Sequence, residues 1–238
     1  TYLSKTFGSA GNQKTWTWSG WIKRGTITTT QVFFTNYTSS STRQYFRFNS
    51  SDQFETYGVV GGTDIIQANT TSVFRDVSAW YHVVVVFNTT ESTGSNRCKV
   101  YINGVQQSLT FTTTPGLDAD GAINDNGLHS IGNNGNGGNY VDGSMAMVQF
   151  VDGQAYDATY FGSTDSTTGI WTPQASSTIS SYGTNGFKLA MDTTTPGADT
   201  SGKGNTFTAS GTPTLTQGSP SNVYATLNSI DNIAASTF

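Results

Sequence analysis

The chain has 238 residues, a formal net charge of −4 and only 11% charged residues, against roughly 25% in an average soluble domain. Strong helix formers are scarce, which excludes a helical bundle, and the scattered positive charge argues against a nucleic-acid partner. No apolar run approaches the about 18 residues of a membrane-spanning helix, so we expect no membrane insertion. Aromatic residues at 13%, among many Thr, Ser, Asn and Gly, are typical of a β-rich folded chain.

The first clear strand pattern is the alternating segment 16–24. Trp16 and Trp18 share one face of this strand, and Trp21 lies on the other. Gly20 interrupts the apolar row and leaves room for a large neighbouring side chain. Further strands are predicted at 31–37, 45–49 and 53–57.

The strongest strand is 80–87, which reads WYHVVVVF. Its continuous apolar run predicts burial on both faces at the centre of a sheet. The segments 98–102 and 105–109 flank Asn103-Gly104, a pair typical of a type I′ hairpin turn, because both turn positions need positive φ. Strands at 128–131 and 141–151 and a short helical turn at 156–162 complete this part of the chain.

Many short strands separated by turn residues predict an all-β fold, and we favour an antiparallel β-sandwich over a barrel. Residues 1–170 are predicted to form the sandwich. Residues 171–238 are richer in Thr, Ser, Gly and Pro, with one strand at 187–192, and we expect an irregular C-terminal extension that packs on the sandwich or links onward. Cys98 is alone, so no intramolecular disulfide can form, and we expect it to be buried in a strand.

The strand set resembles the laminin-G-like branch of the concanavalin-A-like lectin/glucanase superfamily. The Trp80-Tyr81-His82 strand and the Tyr101-Ile102-Asn103-Gly104 hairpin carry this resemblance most specifically. The matching stretches read TWTWSGWIKR, FRFNSSDQFE, VFRDVSAWYHVVVVFNTT, RCKVYINGVQ, HSIGNN and YVDGSMAMVQFVDGQAY. The resemblance implies a jelly-roll sandwich over residues 1–170, and it leaves the ligand open.

A narrower resemblance covers almost the whole chain. The stretches that carry it read FGSTDSTTGIWTPQ, YGTNGFKLAMD, TSGKGNTFTASG and SPSNVYATLN. They are similar to virion-associated proteins of marine bacteriophages, which implies a location on the virion surface, with other virion proteins and copies of the same chain as partners. Two roles follow from the resemblance. The first is a tail-fibre or receptor-binding protein that binds a host-surface glycan. The second is a capsid-decoration or fibre-building protein, in a homo-oligomer such as a trimer, that uses the fold without a ligand.

We expect no enzymatic activity. In the glucanases of the resembled superfamily, the catalytic Glu residues lie close together on one strand in an E-x-D-x-E pattern. Glu55 and Glu91 are the only Glu residues here, and neither has a partner within reach by sequence. His82 and His129 are the only histidines, and both are predicted to be hydrogen-bonded structural groups.

An acidic loop precedes the 128–131 strand. Carboxylate and amide oxygens are the ligands that calcium prefers, so this loop is a candidate calcium site. The candidate ligands are Asp118, Asp120, Asn124, Asp125 and Asn126. The same residue types also build turns, and this alternative stays open.

The next loop reads NNGNGGNY and is a candidate glycan contact. Asn amides can pair with sugar hydroxyls, and a tyrosine offers a stacking face. The candidate residues are Asn133, Asn134, Asn136, Asn139 and Tyr140. Trp21 joins this set, because it is the tryptophan most expected to be exposed. A flexible hairpin loop without a ligand is the alternative.

Overall fold

The computed structural model describes residues 1–174, 178–192, 194–216 and 218–221. Within these ranges the only helical elements are two short 3-10 turns, Gly94–Asn96 and Ala158–Tyr160, and no helix is long and apolar enough to cross a membrane. The strands, in chain order, are β1 (Tyr2–Thr6), β2 (Thr15–Arg24), β3 (Gln31–Ser39), β4 (Thr42–Phe48), β5 (Gln53–Val60), β6 (Thr63–Val73), β7 (Tyr81–Asn88), β8 (Cys98–Ile102), β9 (Val105–Gln106), β10 (Leu109–Thr113), β11 (Leu128–Ile131), β12 (Gly143–Asp152), β13 (Gly162–Thr164), β14 (Trp171–Pro173), β15 (Phe187–Leu189) and β16 (Thr208–Ser210).

Most strands belong to two antiparallel sheets. One has eight strands in the spatial order β10-β6-β5-β4-β3-β11-β1-β16, and the other has six in the order β15-β12-β2-β7-β8-β9. Their inner faces enclose an aromatic core, in which the ring centroids of Trp18 and Trp16 lie 5.0 Å and 6.2 Å from that of Phe46 in the opposite sheet. The predicted all-β antiparallel sandwich is confirmed.

Strand β2 shows how the sequence sets this core. Trp16 and Trp18 alternate onto the inner face and are fully buried, as the pattern predicts. At Gly20 the inner row is empty, and a Cβ atom added there would lie 2.8 Å from Cζ2 of Trp18. The glycine therefore leaves the space that the Trp18 indole occupies.

Strand β7 is buried on both faces, as its apolar run predicts. It lies between β2 and β8 near the centre of the six-stranded sheet. One face joins the aromatic core. The other carries Val84 and packs against a second apolar cluster that includes Phe161 and Tyr182. The members of that cluster outside the sheet come from residues 156–174 and 178–182, so these segments cover the outer face of the six-stranded sheet.

The Asn103-Gly104 hairpin forms as predicted, with φ of 50° and 81° at its two turn residues. The strand predicted at 105–109 is shorter, because β9 ends at Gln106. The chain then crosses to the eight-stranded sheet, where β10 pairs with β6. The hairpin signal therefore locates the turn correctly but not the length of the strand that follows it.

Residues beyond 170 add one edge strand to each sheet. β15 pairs with β12, and β16 pairs with β1. The strand predicted at 187–192 ends at Leu189, and Met191 takes a left-handed φ of 59° that a continuing strand does not allow. Residues 222–238 of the predicted extension lie outside the described residues.

Candidate functional site

The loop between β11 and β12 folds back against the eight-stranded sheet. The backbone N–H of Val32 donates to the backbone oxygen of Asn139 at 2.9 Å, and Nδ2 of Asn136 donates to the Tyr37 hydroxyl at 3.5 Å. Gly135 has φ of 80°, and a Cβ atom there would lie only 2.5 Å from Cβ of Tyr37. A glycine is therefore needed where the loop approaches β3 so closely.

A depression of about 300 Å³ lies between this loop and strands β3 and β4. We call it the Tyr/Asn depression. It is lined by Val32, Tyr37, Ser40, Arg43, Tyr45, Asn134, Asn136 and Asn139. Three of the asparagines predicted from the loop sequence therefore meet here, together with two tyrosines and an arginine that the sequence analysis did not select.

Strand β3 supplies Tyr37, and strand β4 supplies Arg43 and Tyr45 because its side chains alternate strictly. Gln44, Phe46 and Phe48 are buried, whereas Arg43 and Tyr45 are only partly buried and belong to the outer face. The outer row continues across the sheet, since the Tyr45 ring centroid lies 5.4 Å from that of Tyr57 on β5. The alternation in TRQYFRF was the available signal for this surface.

The charges around the depression are unevenly paired. Arg47 is bound to Glu55 by an ion pair of 2.8 Å. The Tyr57 hydroxyl donates to Asp64 Oδ1 at 2.6 Å, and this hydrogen bond raises the pKa of Tyr57 above its usual 10.0. Arg43 has no carboxylate within 4.0 Å among the described residues, and its guanidinium carbon lies 5.6 Å from the Tyr57 ring centroid. Its positive charge is therefore free of an acidic partner in this part of the chain.

The other predicted glycan contacts lie elsewhere. Asn133 is buried, and its side-chain oxygen accepts from the backbone N–H of Gly135 at 3.1 Å. Tyr140 is 44% exposed but packs beside Tyr2, outside the depression. The expectation that Trp21 is exposed is wrong, because only 3% of it is accessible and its ring stacks on His82. The Trp21 and His82 side chains lie on the outer face of the six-stranded sheet, which residues 156–174 and 178–182 cover.

The acidic loop is built around two side chains whose oxygens are engaged by protein donors. Oδ1 of Asn124 accepts from Asn185, and its Nδ2 donates to Asp152 at 2.7 Å. The Asp125 carboxylate accepts from Asn36 at 2.6 Å, from Thr38 and from the backbone of its own loop.

The remaining candidates for a calcium site, Asp118, Asp120 and Asn126, are exposed. No cluster of three or more His, Cys, Asp or Glu side chains in the described residues is placed to hold a metal. This arrangement fits the turn-building alternative better than a calcium site, which stays a prediction.

Both histidines are structural, as predicted. His82 is hydrogen-bonded to Ser19 and to the indole N–H of Trp171, each at 2.9 Å. His129 accepts from the backbone N–H of Asn124 at 3.0 Å and lies 3.0 Å from the backbone oxygen of Gly127. Burial lowers the pKa of His82 to about 3 and that of His129 to about 4. Each ring is therefore neutral at pH 7.

Cys98 is buried in β8, as predicted, and burial raises the pKa of its thiol to about 12. The two Glu residues belong to different parts of the sandwich. Glu55 lies on β5 in the eight-stranded sheet, and Glu91 lies in the turn after β7 of the other sheet. The chain thus places no reactive thiol and no pair of Glu carboxylates at the depression.

A family model described as the concanavalin A-like lectin/glucanases superfamily matches residues 2–159. The chain belongs to this superfamily. The matched region contains the whole Tyr/Asn depression and both candidate loops. A comparison with curated proteins gives no match.

Several solved structures are similar to this superfamily member. A heptameric SAP-like pentraxin from Limulus polyphemus is 19% identical, with a TM-score of 0.47 over 65% of this chain and 70% of that one. Domains LG4-5 of the mouse laminin alpha1 chain are 10% identical, with a TM-score of 0.48 over 66% and 43%. Domain 4 of an extracellular arabinanase from Geobacillus stearothermophilus, solved with arabinotriose, is 16% identical, with a TM-score of 0.43 over 61% and 64%. These similarities are distant, and no ligand or activity follows from them for this chain.

Proposed function

We propose that this superfamily member is a noncatalytic glycan-binding module and that the Tyr/Asn depression is its binding site. The observation that carries the proposal is the meeting of three loop asparagines with Tyr37 and Tyr45 in one concavity. Sugars offer hydroxyls to amides and C–H faces to aromatic rings, and ligand sites combine such walls with a few convergent polar groups. A volume of about 300 Å³ is at the small end of the range for such sites.

The absence of catalysis is part of the proposal. Retaining glycosidases use two carboxyl groups about 5 Å apart. None of the residues that line the Tyr/Asn depression is acidic, and the nearby Glu55 is bound to Arg47. A ligand held in the depression therefore meets amides, phenols and a guanidinium, none of which acts as an acid–base pair for glycoside cleavage.

We further infer a virion-surface setting, which rests on the sequence resemblance described above. There the module contacts a host-surface glycan, with other virion proteins and copies of the same chain as neighbours. The capsid-decoration role is the competing one. It requires a self-association surface and no sugar site, so one binding assay separates the two.

The test is a glycan array followed by titration calorimetry with the best ligand. We expect Tyr37→Ala to weaken binding at least about tenfold, since one lost stacking or hydrogen-bonding contact of about 1.4 kcal/mol has that effect. Tyr140→Ala is the matched control, because Tyr140 is a neighbouring exposed tyrosine outside the depression. We expect its affinity to stay within about twofold of the wild type.

Thermal unfolding of both variants checks that they are folded. An array without any bound glycan, or equal losses from the two tyrosine variants, would overturn the assignment of this site. Release of shortened oligosaccharides from the bound glycan would overturn the noncatalytic part alone.

A further inference from the structure

We propose that the Tyr/Asn depression selects an anionic sugar, with a carboxylate or sulfate group bound to the guanidinium of Arg43. This inference rests on the proposed glycan-binding function and names the class of glycan. It starts from the charge of the site. Arg43 is the only charged residue that lines the depression, and no carboxylate of the described residues forms an ion pair with it.

The neighbouring arginine shows what a satisfied guanidinium looks like on the same strand. Arg47, four positions along β4 on the same face of the strand, is bound to Glu55 at 2.8 Å on the adjacent strand. At the equivalent position opposite Arg43, the register places Val59, which is apolar. The sheet thus neutralises one arginine with a cross-strand acid and leaves the other without one.

Arg43 also contacts an aromatic ring, since its guanidinium carbon lies 5.6 Å from the Tyr57 ring centroid. Because the whole chain carries a net charge of −4, this guanidinium is a local positive site on an acidic protein. A planar guanidinium offers several N–H donors in a fixed fork that matches the geometry of carboxylate and sulfate-like oxyanions.

The loop amides add hydrogen-bond donors to the depression, and the free part of the Asn134 amide is a donor alone. Oδ1 of Asn134 already accepts from the backbone N–H groups of Asn136 and Gly138, at 3.2 Å and 2.8 Å. Its Nδ2 donates to no acceptor of the described residues, and neither does the side-chain amide of Asn139. The Tyr37 hydroxyl receives a hydrogen bond from Asn136 and keeps its own O–H to donate.

The depression therefore combines a free guanidinium with unused N–H and O–H donors. A neutral sugar would satisfy part of this set, since each hydroxyl both donates and accepts. An oxyanion satisfies it better, because an ionised carboxylate or sulfate only accepts hydrogen bonds. Hydrogen bonds in which one partner is charged are about twice as strong as neutral ones. We therefore expect an anionic sugar to bind more tightly than a neutral sugar of the same shape.

The experiment measures the affinity of the full chain for matched oligosaccharides. One pair is a galacturonic acid trisaccharide and its fully methyl-esterified form, which has the same rings without the charge. A second pair is a chondroitin sulfate tetrasaccharide and its desulfated form, which keeps the uronate carboxylates and therefore tests whether sulfate adds to recognition. We expect the galacturonic acid trisaccharide to bind at least about tenfold more tightly than its neutral ester, and salt to weaken that binding.

Variants locate the effect. Arg43→Gln keeps most of the side-chain length and is expected to abolish the difference between charged and neutral probes. Arg43→Lys keeps the charge but not the fork, so we expect it to restore part of the difference. Lys203→Gln is the matched control, since it removes one positive charge from an exposed position outside the depression. We expect it to bind like the wild type.

The outcomes separate the two proposals. If glycans bind at the depression but charged and neutral probes bind equally, the inference about anionic sugars is wrong and the proposed function stands. If Arg43→Gln and Lys203→Gln lose the charge preference equally, the assignment to Arg43 is wrong. If neither the probes nor any array glycan binds, the proposed function itself fails.

Discussion

The two buried histidines predict a steep loss of stability in mildly acidic solution. In the unfolded chain a histidine titrates near 6.5, whereas the folded protein lowers the pKa of His82 to about 3 and that of His129 to about 4. As pH falls below 6.5, the two histidines bind protons in the unfolded state but remain neutral in the folded state. The free energy of unfolding therefore decreases with falling pH, and the loss ends only near pH 3 to 4.

The size of the loss follows from that difference. At pH 5 each unfolded histidine gains about 2 kcal/mol from protonation, and both folded histidines are still mostly neutral. Together they cost about 4 kcal/mol between pH 8 and pH 5, a large part of the roughly 5–15 kcal/mol that stabilises a typical domain. Asp residues titrate near 3.9 when unfolded, so they contribute little in this window.

The assay is urea unfolding at pH 8, 6 and 5, followed by tryptophan fluorescence. Each single variant, His82→Gln or His129→Gln, is expected to halve the difference between pH 8 and pH 5, whatever its stability at pH 8. Equal free energies of unfolding at pH 8 and pH 5 in the wild type would refute the reasoning, since they would mean that the folded protein accepts these protons.

Three further predictions concern the core and the loops. Gly20→Ala overpacks the core against the indole that it faces and should cost about 1–3 kcal/mol in urea unfolding, whereas Gly8→Ala, where a Cβ meets nothing within 4 Å, should be neutral. Asp152→Ala removes an acceptor of four N–H groups at 2.7–3.1 Å and should cost at least about 3 kcal/mol in the same assay, against a negligible effect of Asp120→Ala on the surface. Because the acidic loop uses its central oxygens internally, adding calcium or EDTA should leave the melting temperature unchanged; a rise with calcium that Asp125→Asn abolishes would show a metal site.

The fold was predictable where apolar residues repeat with a clear period. Strands β2 and β7 carry that signal, so their place in the core followed from sequence. β6 was missed although, with 11 residues, it is the longest strand in the part of the chain that the structure describes. Its buried row consists of Ile66, Ala68 and Thr70, and this small, partly polar set does not stand out from a loop.

The candidate site was predictable only on its loop side. Asn134 and its neighbours stand together in the chain, whereas Tyr37 and Tyr45 reach them only through pairing of β3 with β4 and β11. Pairing partners of this kind are not readable from one sequence. The prediction that Trp21 is exposed was wrong for a similar reason, because the segments that cover its sheet face lie more than a hundred residues further along the chain.

The pairing of β1 with β16 has a consequence for how the chain folds. Tyr2 lies opposite Ser210, so the last strand of the described residues pairs beside the first. Contacts between such distant residues are entropically costly to form and slow folding. Until residue 210 is available, β1 presents an unpaired edge that can join the strand of another copy. We therefore expect a chain shortened before Thr208 to aggregate during refolding, even though its aromatic core is complete.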